Sequence, residues 1–176
     1  WKDLTLNIFS STPGRITSRV DIGKPDISGI SSTSDDKYDW GASVLQLDNG
    51  MYQMWWTRND PVNNFDQIQF AWSSDGTIWY GKQMVLQPEN TLHENLHTAR
   101  PSVVLVNGTY YMVYESLWQG PIKKNSNVNL ATSPDGINWT KYPKMIPGRE
   151  GEQVQSIVSY YPTHDNDGYG VGQPSL

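Results

Sequence analysis

The amino-acid sequence predicts an all-β protein of the β-propeller class, with two four-stranded antiparallel blades and the start of a third. Three observations support this prediction: part of the chain recurs further along, each copy carries hairpin-turn dipeptides at matching places, and the stretches between these turns are short and largely apolar. Four sequential antiparallel strands that repeat as a unit are typical of a propeller blade.

A long internal repeat is the first of these observations. Residues 41–58, GASVLQLDNGMYQMWWTR, align with residues 100–116, RPSVVLVNGTYYMVYES, at a spacing of about 59 residues. Residues 70–79, FAWSSDGTIW, align in the same way with residues 130–139, LATSPDGINW. The repeat predicts that one supersecondary unit occurs twice in succession.

The first two strands of each unit are predicted to form a hairpin. An apolar first strand, residues 42–47 or 101–106, runs into Asn49-Gly50 in one copy and Asn107-Gly108 in the other. Asn-Gly supplies the positive φ angles that a tight hairpin turn requires. An aromatic-rich second strand follows each turn.

A second hairpin is predicted from the third and fourth strands. The third strand covers about residues 67–73 and 127–133, and each copy ends in a Ser-x-Asp-Gly-x-x-Trp turn. The fourth strand then carries Trp79 or Trp139. We interpret this turn, which resembles the Asp box of sialidase propellers, as structural and remote from any active centre.

The repeat also predicts how the chain is divided. We expect a single incomplete propeller domain, because two blades and the start of another cannot close a ring of about four to eight blades. The ring would be completed by the missing remainder of a longer chain or by a homo-oligomer. The predicted parts are an N-terminal strap or partial blade (1–37), two blades (38–87 and 98–146) and the start of the next blade (172–176).

Composition excludes several partners. The net charge is -5 with a pI near 5.0, and Lys and Arg are scattered, so neither a nucleic acid nor an anionic membrane is an expected partner. The chain has no cysteine, which excludes disulfides and thiolate metal sites. No apolar run approaches the roughly 20 residues of a membrane helix. No cofactor or metal is predicted.

Several of these segments resemble a known group, the five-bladed β-propeller glycoside hydrolases, which include arabinanases, β-xylosidases, levansucrases, invertases and mannoside phosphorylases. The resemblance implies a five-bladed ring and a carbohydrate-active protein, a glycoside hydrolase acting on a poly- or oligosaccharide outside the cytoplasm of a bacterium, in the periplasm or extracellular space. A non-catalytic carbohydrate-binding or scaffold propeller is the alternative. The matching segments are ARPSVV (99–104), GQPSL (172–176), NGTYYMVYE (107–115), NGMYQMWWT (49–57), ATSPDGINW (131–139) and AWSSDGTIW (71–79).

The family's catalytic pattern is altered in this chain. Relatives commonly place an Asp directly before the Pro-Ser of an inner strand, whereas Gly41, Arg100 and Gln173 stand at the corresponding positions here. Glycoside hydrolysis still requires a general acid and a second carboxylate. The departure therefore counts as support for the non-catalytic alternative.

Four other carboxylates are candidates for the catalytic pair. Asp39 is expected in a loop at the channel mouth, and Glu115 at the end of the second strand of its blade, where the other copy has Thr57. Residues that differ between the copies are more informative, because the shared residues serve the fold. Glu150 and Glu152 lie in the polar connection that follows the second blade.

Five residues are predicted to bind substrate. Arg100 and Gln173 should face the channel, where a guanidinium fork can hold a carboxylate or a phosphate. Trp40 and Trp118 lie at strand ends without a Trp counterpart in the other copy, and they offer a flat apolar face to a sugar ring. His97 is expected at the channel mouth as a sugar-binding or acid–base residue.

Residues 93–97, His-Glu-Asn-Leu-His, match the zinc-protease signature, in which two His bind the metal and the Glu activates water. That chemistry needs a longer helix and a third ligand. Pro101 and a predicted strand leave room only for a short helix from Pro88 to His97. A zinc metalloprotease using His93, Glu94 and His97 is therefore a competing hypothesis that the repeat disfavours.

Overall fold

A computed structural model describes residues 39–60, 62–89, 94–119, 124–142, 144–145, 153–154, 156–159, 172 and 174–176. All regular structure in these residues is β, which confirms the predicted fold class. The strands are β1 (Asp39–Gln46), β2 (Tyr52–Asp60), β3 (Phe65–Ser73), β4 (Tyr80–Leu86), β5 (His97–Val106), β6 (Thr109–Gln119), β7 (Lys124–Ser133), β8 (Thr140–Lys141), β9 (Lys144–Met145), β10 (Gln153–Val154) and β11 (Ser156–Ser159).

The strands form two consecutive blades of a partial β-propeller. Blade A consists of β1–β4 and blade B of β5–β8, and neighbouring strands within each blade are antiparallel. Asn107 and Gly108 both have positive φ, as the predicted Asn-Gly turn between β5 and β6 requires. A single parallel pair, Asp66 with His97, joins β3 of blade A to β5 of blade B.

The outer edge of blade B is built from two pieces. In blade A, β4 pairs with β3 from Trp72 to Ile68. In blade B, β8 pairs with β7 only at Ala131 and Thr132, and β11 pairs with the rest of that edge at residues 127–129. The sheet of blade B thus takes in residues 156–159, beyond the predicted blade.

An apolar core holds the two blades face to face. Trp55 is fully buried at its centre, with its ring 5.6 Å from that of Phe70 and 5.9 Å from that of Tyr110. Its Nε1 donates to the carbonyl of Gly136, 2.7 Å away, across the blade interface. The core residues are Trp55, Ile68, Phe70 and Leu86 from blade A and Val103, Tyr110, Met112, Tyr114 and Ala131 from blade B.

The inner strands are connected by a repeated side-chain hydrogen bond. The backbone N–H of Val103 in β5 donates to Ser43 Oγ in β1, at 3.0 Å. The N–H of Leu176 donates to Ser102 Oγ in β5, also at 3.0 Å. Ser43 and Ser102 are equivalent in the repeat, so the serine of each copy accepts a backbone hydrogen bond from a later segment of the chain.

The two Asp-Gly turns are structural, as predicted. In each, the carboxylate accepts two backbone N–H bonds: Asp75 from Thr77 and Ile78, and Asp135 from Ile137 and Asn138. These bonds favour the ionised form and lower the pKa of both Asp75 and Asp135 well below its usual value. The turns lie at the end of the sheet opposite the start of the inner strands.

Candidate functional site

One end of the sheet is rich in buried polar side chains. It contains the starts of β1 and β5, the ends of β2 and β6, and the starts of β3 and β7; we call it the polar end. Polar groups are buried only at a cost unless they are hydrogen-bonded, so such a concentration marks a candidate functional site. The buried polar residues there are Thr57, Arg58, Asn59, Asp66, Thr98, Ser116, Ser126 and Asn127.

The inner strands β1 and β5 bulge near their starts. The pairing of β1 with β2 shifts between Trp40 and Ser43, and that of β5 with β6 shifts between Ala99 and Ser102. Each bulge contains a residue with left-handed φ, Gly41 at 63° and Arg100 at 51°. For a residue with a Cβ this conformation costs about 1–2 kcal/mol. Strain of this kind concentrates at functional sites.

Arg100 lines an open cleft between the inner strands. The cleft has a volume of about 290 Å³. The strained backbone is held by a hydrogen bond from the Arg100 N–H to Thr57 Oγ1 of blade A, at 2.7 Å. Arg100 thus lies at this cleft, and its predicted position in a central channel stays a prediction. The cleft is lined by Gly41, Ala42, Arg100, Pro101 and Pro174.

Arg100, which lines the cleft, forms an ion pair with Glu115 of β6. Nη1 donates to Glu115 Oε2 at 2.5 Å, and the two side chains are 38% and 16% exposed. Glu115 is predicted to end its strand, but β6 continues beyond it to Gln119. It also lies against Gly172, where a Cβ would collide with the carboxylate. The pair brings together one predicted binding residue and one predicted catalytic residue.

Asp39 is placed differently from the prediction. It lies in β1, paired with Arg58 of β2, and not in a loop at the channel mouth. The indole N–H of Trp56 donates to Asp39 Oδ1 at 2.8 Å, and Arg58 Nη1 is 3.9 Å from the same oxygen. The sequence predicts a loop here because Tyr38-Asp39-Trp40-Gly41 lacks the alternation of apolar and polar residues that is typical of a strand.

His97 is held by a buried carboxylate that the sequence analysis did not identify. Its Nδ1 lies 2.6 Å from Asp66 Oδ2, and Asn59 Nδ2 donates to Asp66 Oδ1 at 3.1 Å. A protonated Nδ1 donates to the carboxylate, and an unprotonated one accepts from the Asp66 backbone N–H, 3.2 Å away. Within the described part of the chain, His97 Nε2 makes no hydrogen bond. The contacts of Nδ1 with Asp66 thus orient the imidazole ring, and Nε2 can form a hydrogen bond with a ligand.

The register of β5 and β6 places His97 and Glu115 on one face of the sheet. His97 is opposite Leu117, and Ala99 is opposite Glu115, so the two functional side chains are diagonal neighbours. Diagonal neighbours across antiparallel strands are roughly 7–8 Å apart. The residue of β5 between them on that face is the small, buried Ala99.

The zinc-site hypothesis is wrong for Glu94. This residue is fully buried between the blades, where it accepts hydrogen bonds from Tyr114 Oη at 2.8 Å and Asn129 Nδ2 at 3.1 Å and forms an ion pair with Lys141. Burial raises the pKa of Glu94, and Lys141 opposes that shift. Residues 87–89 and 94–97 contain no helix, so the predicted short helix is not found in them. Glu94 is a structural residue of the blade interface.

The remaining predicted residues are placed in part. Trp40 lies in β1 opposite Thr57, and Trp118 near the end of β6 opposite Asn125, so both belong to the polar end. Their predicted role in sugar binding stays a prediction. The other predicted positions, His93, Glu150, Glu152 and Gln173, lie outside the described residues.

Asp66 and Asn59 are the residues that the sequence analysis missed. A signal for them was present in the repeat, because Asp66 aligns with Ser126 and Asn59 with Leu117. Asn59 replaces an apolar residue of the other copy, and Asp66 is a carboxylate where the other copy has an uncharged residue, as Glu115 is. No group of three or more metal-ligating side chains occurs in the described residues. Those residues also include no helix of the length and apolar character that spans a membrane.

Comparison with solved structures agrees with this fold. The chain is similar to Zg3597, a family 117 glycoside hydrolase from the marine bacterium Zobellia galactanivorans, with a TM-score of 0.52 and 20% identity over 68% of this chain and 43% of that one. It is similar to a structure from the GH130 family of mannoside phosphorylases, with a TM-score of 0.51 and 19% identity over 68% of this chain and 35% of that one. A thermostable family-43 glycoside hydrolase matches with a TM-score of 0.50 and 18% identity, over 59% and 36% of the two chains.

These similarities define the fold and its extent. No family model and no curated protein matches the chain. The chain spans less than half the length of each of the three structures. Identities near 20% relate folds and not activities. The chain therefore has the fold of the five-bladed β-propeller glycoside hydrolases and corresponds to part of their ring.

Proposed function

We propose that this chain is part of a glycoside hydrolase and that its catalytic centre lies in the cleft at the polar end. The observation that carries the proposal is the Arg100–Glu115 pair, a carboxylate held by a strained arginine where the inner strands meet. A catalytic carboxylate must keep its position, and a guanidinium pair provides this. The substrate would be an oligo- or polysaccharide, and we infer an extracellular or periplasmic location for an enzyme with such a substrate.

Glu115 and His97 would share the proton transfers of hydrolysis. Glu115, held in position by Arg100, would take a proton from water as the water oxygen bonds to the anomeric carbon. The glycosidic bond breaks, and the leaving oxygen takes a proton from Nε2 of His97. Asp66 would stabilise the charged imidazolium before this transfer.

The test is hydrolysis by the full chain of arabinan, xylan, mannan and fructan. We expect Glu115→Gln to lower kcat by about 10²–10⁴-fold on the substrate that is cleaved, because it removes a proton acceptor. Asp48→Asn, in an exposed turn at the opposite end of the sheet, is the matched control and should retain full activity. Equal activity of Glu115→Gln and the wild type would refute the assignment of Glu115.

A non-catalytic carbohydrate-binding propeller is the second candidate. It is favoured by one observation: neither Gly41 nor Arg100, the two described residues at the family's usual catalytic position, has a carboxylate. This candidate predicts that the full chain binds one of the four polysaccharides and cleaves none. Release of reducing sugar above that of a Glu115→Gln preparation would exclude it.

A further inference from the structure

Two aromatic side chains lie together on the surface of blade A. Trp72 of β3 is 40% exposed and Tyr80 of β4 is 46% exposed. Their ring centroids are 5.2 Å apart at an interplanar angle of 36°. Direct pairing of Trp72 with Tyr80 across the two strands holds them at this distance. They form a small aromatic surface, which we call the outer platform.

The indole of Trp72 packs against Gly81. Gly81 follows Tyr80 and has a left-handed φ of 67°. A Cβ at this position would lie 2.7 Å from Trp72 Nε1, closer than real Cβ atoms come, and 3.0 Å from Cδ1. Trp72 therefore rests directly on the backbone of β4. Its rotamer is restricted on that side, and the ring is preorganised for contact on its exposed side.

The repeat shows that the fold does not require these residues. In blade B the equivalents of Trp72, Tyr80 and Gly81 are Thr132, Thr140 and Lys141. Blade B forms the same strand pairing with them, between Thr132 and Thr140. An exposed Trp that the scaffold does not need is a candidate contact residue, since Trp and Tyr are enriched where proteins bind partners.

The exposed area of the outer platform limits the kind of partner that it can bind. A Trp or Tyr has roughly 150–250 Å² to bury, so the exposed fractions of 40% and 46% leave about 200 Å² in all. A stable protein interface needs about 800 Å² on each partner. Two rings are too small for a protein interface, but they match one or two sugar rings, whose C–H face packs on an aromatic face while the hydroxyl groups stay in water.

The outer platform is separate from the cleft. Trp72 directly precedes Ser73, which begins the Asp-Gly turn, so it lies on an outer strand at the end of the sheet opposite the polar end. A long glycan can contact two such places on one protein at once, and the second contact raises the affinity without altering the chemistry. A short oligosaccharide engages only the cleft.

We propose that Trp72 and Tyr80 form a second carbohydrate-binding site, which holds a polysaccharide chain by stacking of its sugar rings. The proposal rests on the proposed function only for the class of ligand. The outer platform takes no part in bond cleavage. Tyr80 widens the apolar surface, and its hydroxyl group offers a hydrogen bond to the rim of the sugar.

The experiment measures retention and turnover separately. Native gel electrophoresis of the full chain is run with arabinan, xylan, mannan or fructan in the gel. We expect one of these polymers to retard the wild type and Trp72→Ala to bind it roughly 60-fold more weakly, because roughly 100 Å² of stacked apolar surface is lost. Tyr111→Ala, which removes an exposed tyrosine from β6, is the matched control and should bind like the wild type.

Each outcome has a defined meaning. Weaker retention of Trp72→Ala with unchanged retention of Tyr111→Ala supports the second site, whether or not any polymer is cleaved. Equal retention of Trp72→Ala and the wild type overturns it, and so does the absence of retention of the wild type by all four polymers. Hydrolysis of short oligosaccharides by Trp72→Ala reports on the proposed function alone. Circular dichroism of the variants checks that the fold is kept.

Discussion

Replacing Lys141 by Met tests the buried network at the blade interface. The Lys141 side chain is almost completely buried, and its ammonium group is an ion-pair partner of the fully buried Glu94. Methionine has a similar length but no charge, so Glu94 keeps its burial and loses its counter-ion. Removing one member of a buried pair costs about 3–5 kcal/mol.

The expected loss lies at the lower end of that range. Glu94 keeps three donors: the Tyr114 hydroxyl, the Asn129 amide and the backbone N–H of Glu89. Burial and the neighbouring Glu94 raise the pKa of Tyr114 well above its usual value, so its hydroxyl stays a donor at neutral pH. With a urea m value of about 2 kcal/mol/M, a loss of about 3 kcal/mol lowers the unfolding midpoint at pH 7 by about 1.5 M.

The loss should depend on pH with a definite sign. Burial raises the pKa of Glu94 in the folded state, so the folded protein holds this proton more tightly than the unfolded chain. Ionisation therefore removes stability as pH rises from the unfolded pKa to the folded pKa. Lys141→Met removes the group that opposes this shift. Its midpoint should fall further below that of the wild type at pH 7 than at pH 4.

A second variant provides the decisive comparison. Glu94→Gln added to Lys141→Met removes the uncompensated charge, keeps the side-chain shape and should restore most of the lost stability at pH 7. Urea unfolding followed by tryptophan fluorescence measures all three proteins. The reasoning fails if the double variant is no more stable than Lys141→Met, or if the loss is the same at both pH values.

Two other predictions concern the Asp-Gly turns. Gly136→Ala should destabilise the fold by about 2–4 kcal/mol, because its Cβ would lie 2.8 Å from Trp55 Cζ2 and its φ is 78°. Gly76→Ala, with a φ of 75° but an ordinary 3.6 Å contact to Tyr52, should cost only about 1–2 kcal/mol; equal losses in thermal unfolding would contradict the steric argument. Asp135→Asn should lower thermal stability above pH 4, and the difference from the wild type should shrink as pH falls from the usual Asp pKa towards the lowered pKa of Asp135 in the folded state, because the folded protein then gives up the advantage of its ionised carboxyl.

The fold could be predicted because its signals are local and occur twice. Asn107-Gly108 specifies a hairpin turn by backbone conformation alone, and the same dipeptide recurs as Asn49-Gly50. Each strand between turns is short enough for its pattern to be read from neighbouring residues. The split edge of blade B was not predicted, because residues 156–159 pair with β7 across a long connection that leaves no local pattern.

The candidate site could be predicted only in part, for a related reason. Arg100 and Glu115 were identified because the repeat showed where each departs from its counterpart. Their pairing was not foreseen, because it depends on the β5–β6 register after a bulge. His97 was identified, but its partner Asp66 is 31 residues away in another blade. The histidine–glutamate motif misled for the same reason: burial of Glu94 depends on contacts far along the chain.

The serine contacts between inner strands give the assembly a direction. Ser43 accepts from the backbone of Val103 in the following blade, and Ser102 accepts from the backbone of Leu176, so each serine receives a hydrogen bond from a later segment of the chain. Each of these side-chain hydrogen bonds joins two segments and is separate from the strand pairing inside a blade. Mechanical load on one junction would therefore break its own contact and leave the hydrogen-bond ladders inside the adjoining blades in place.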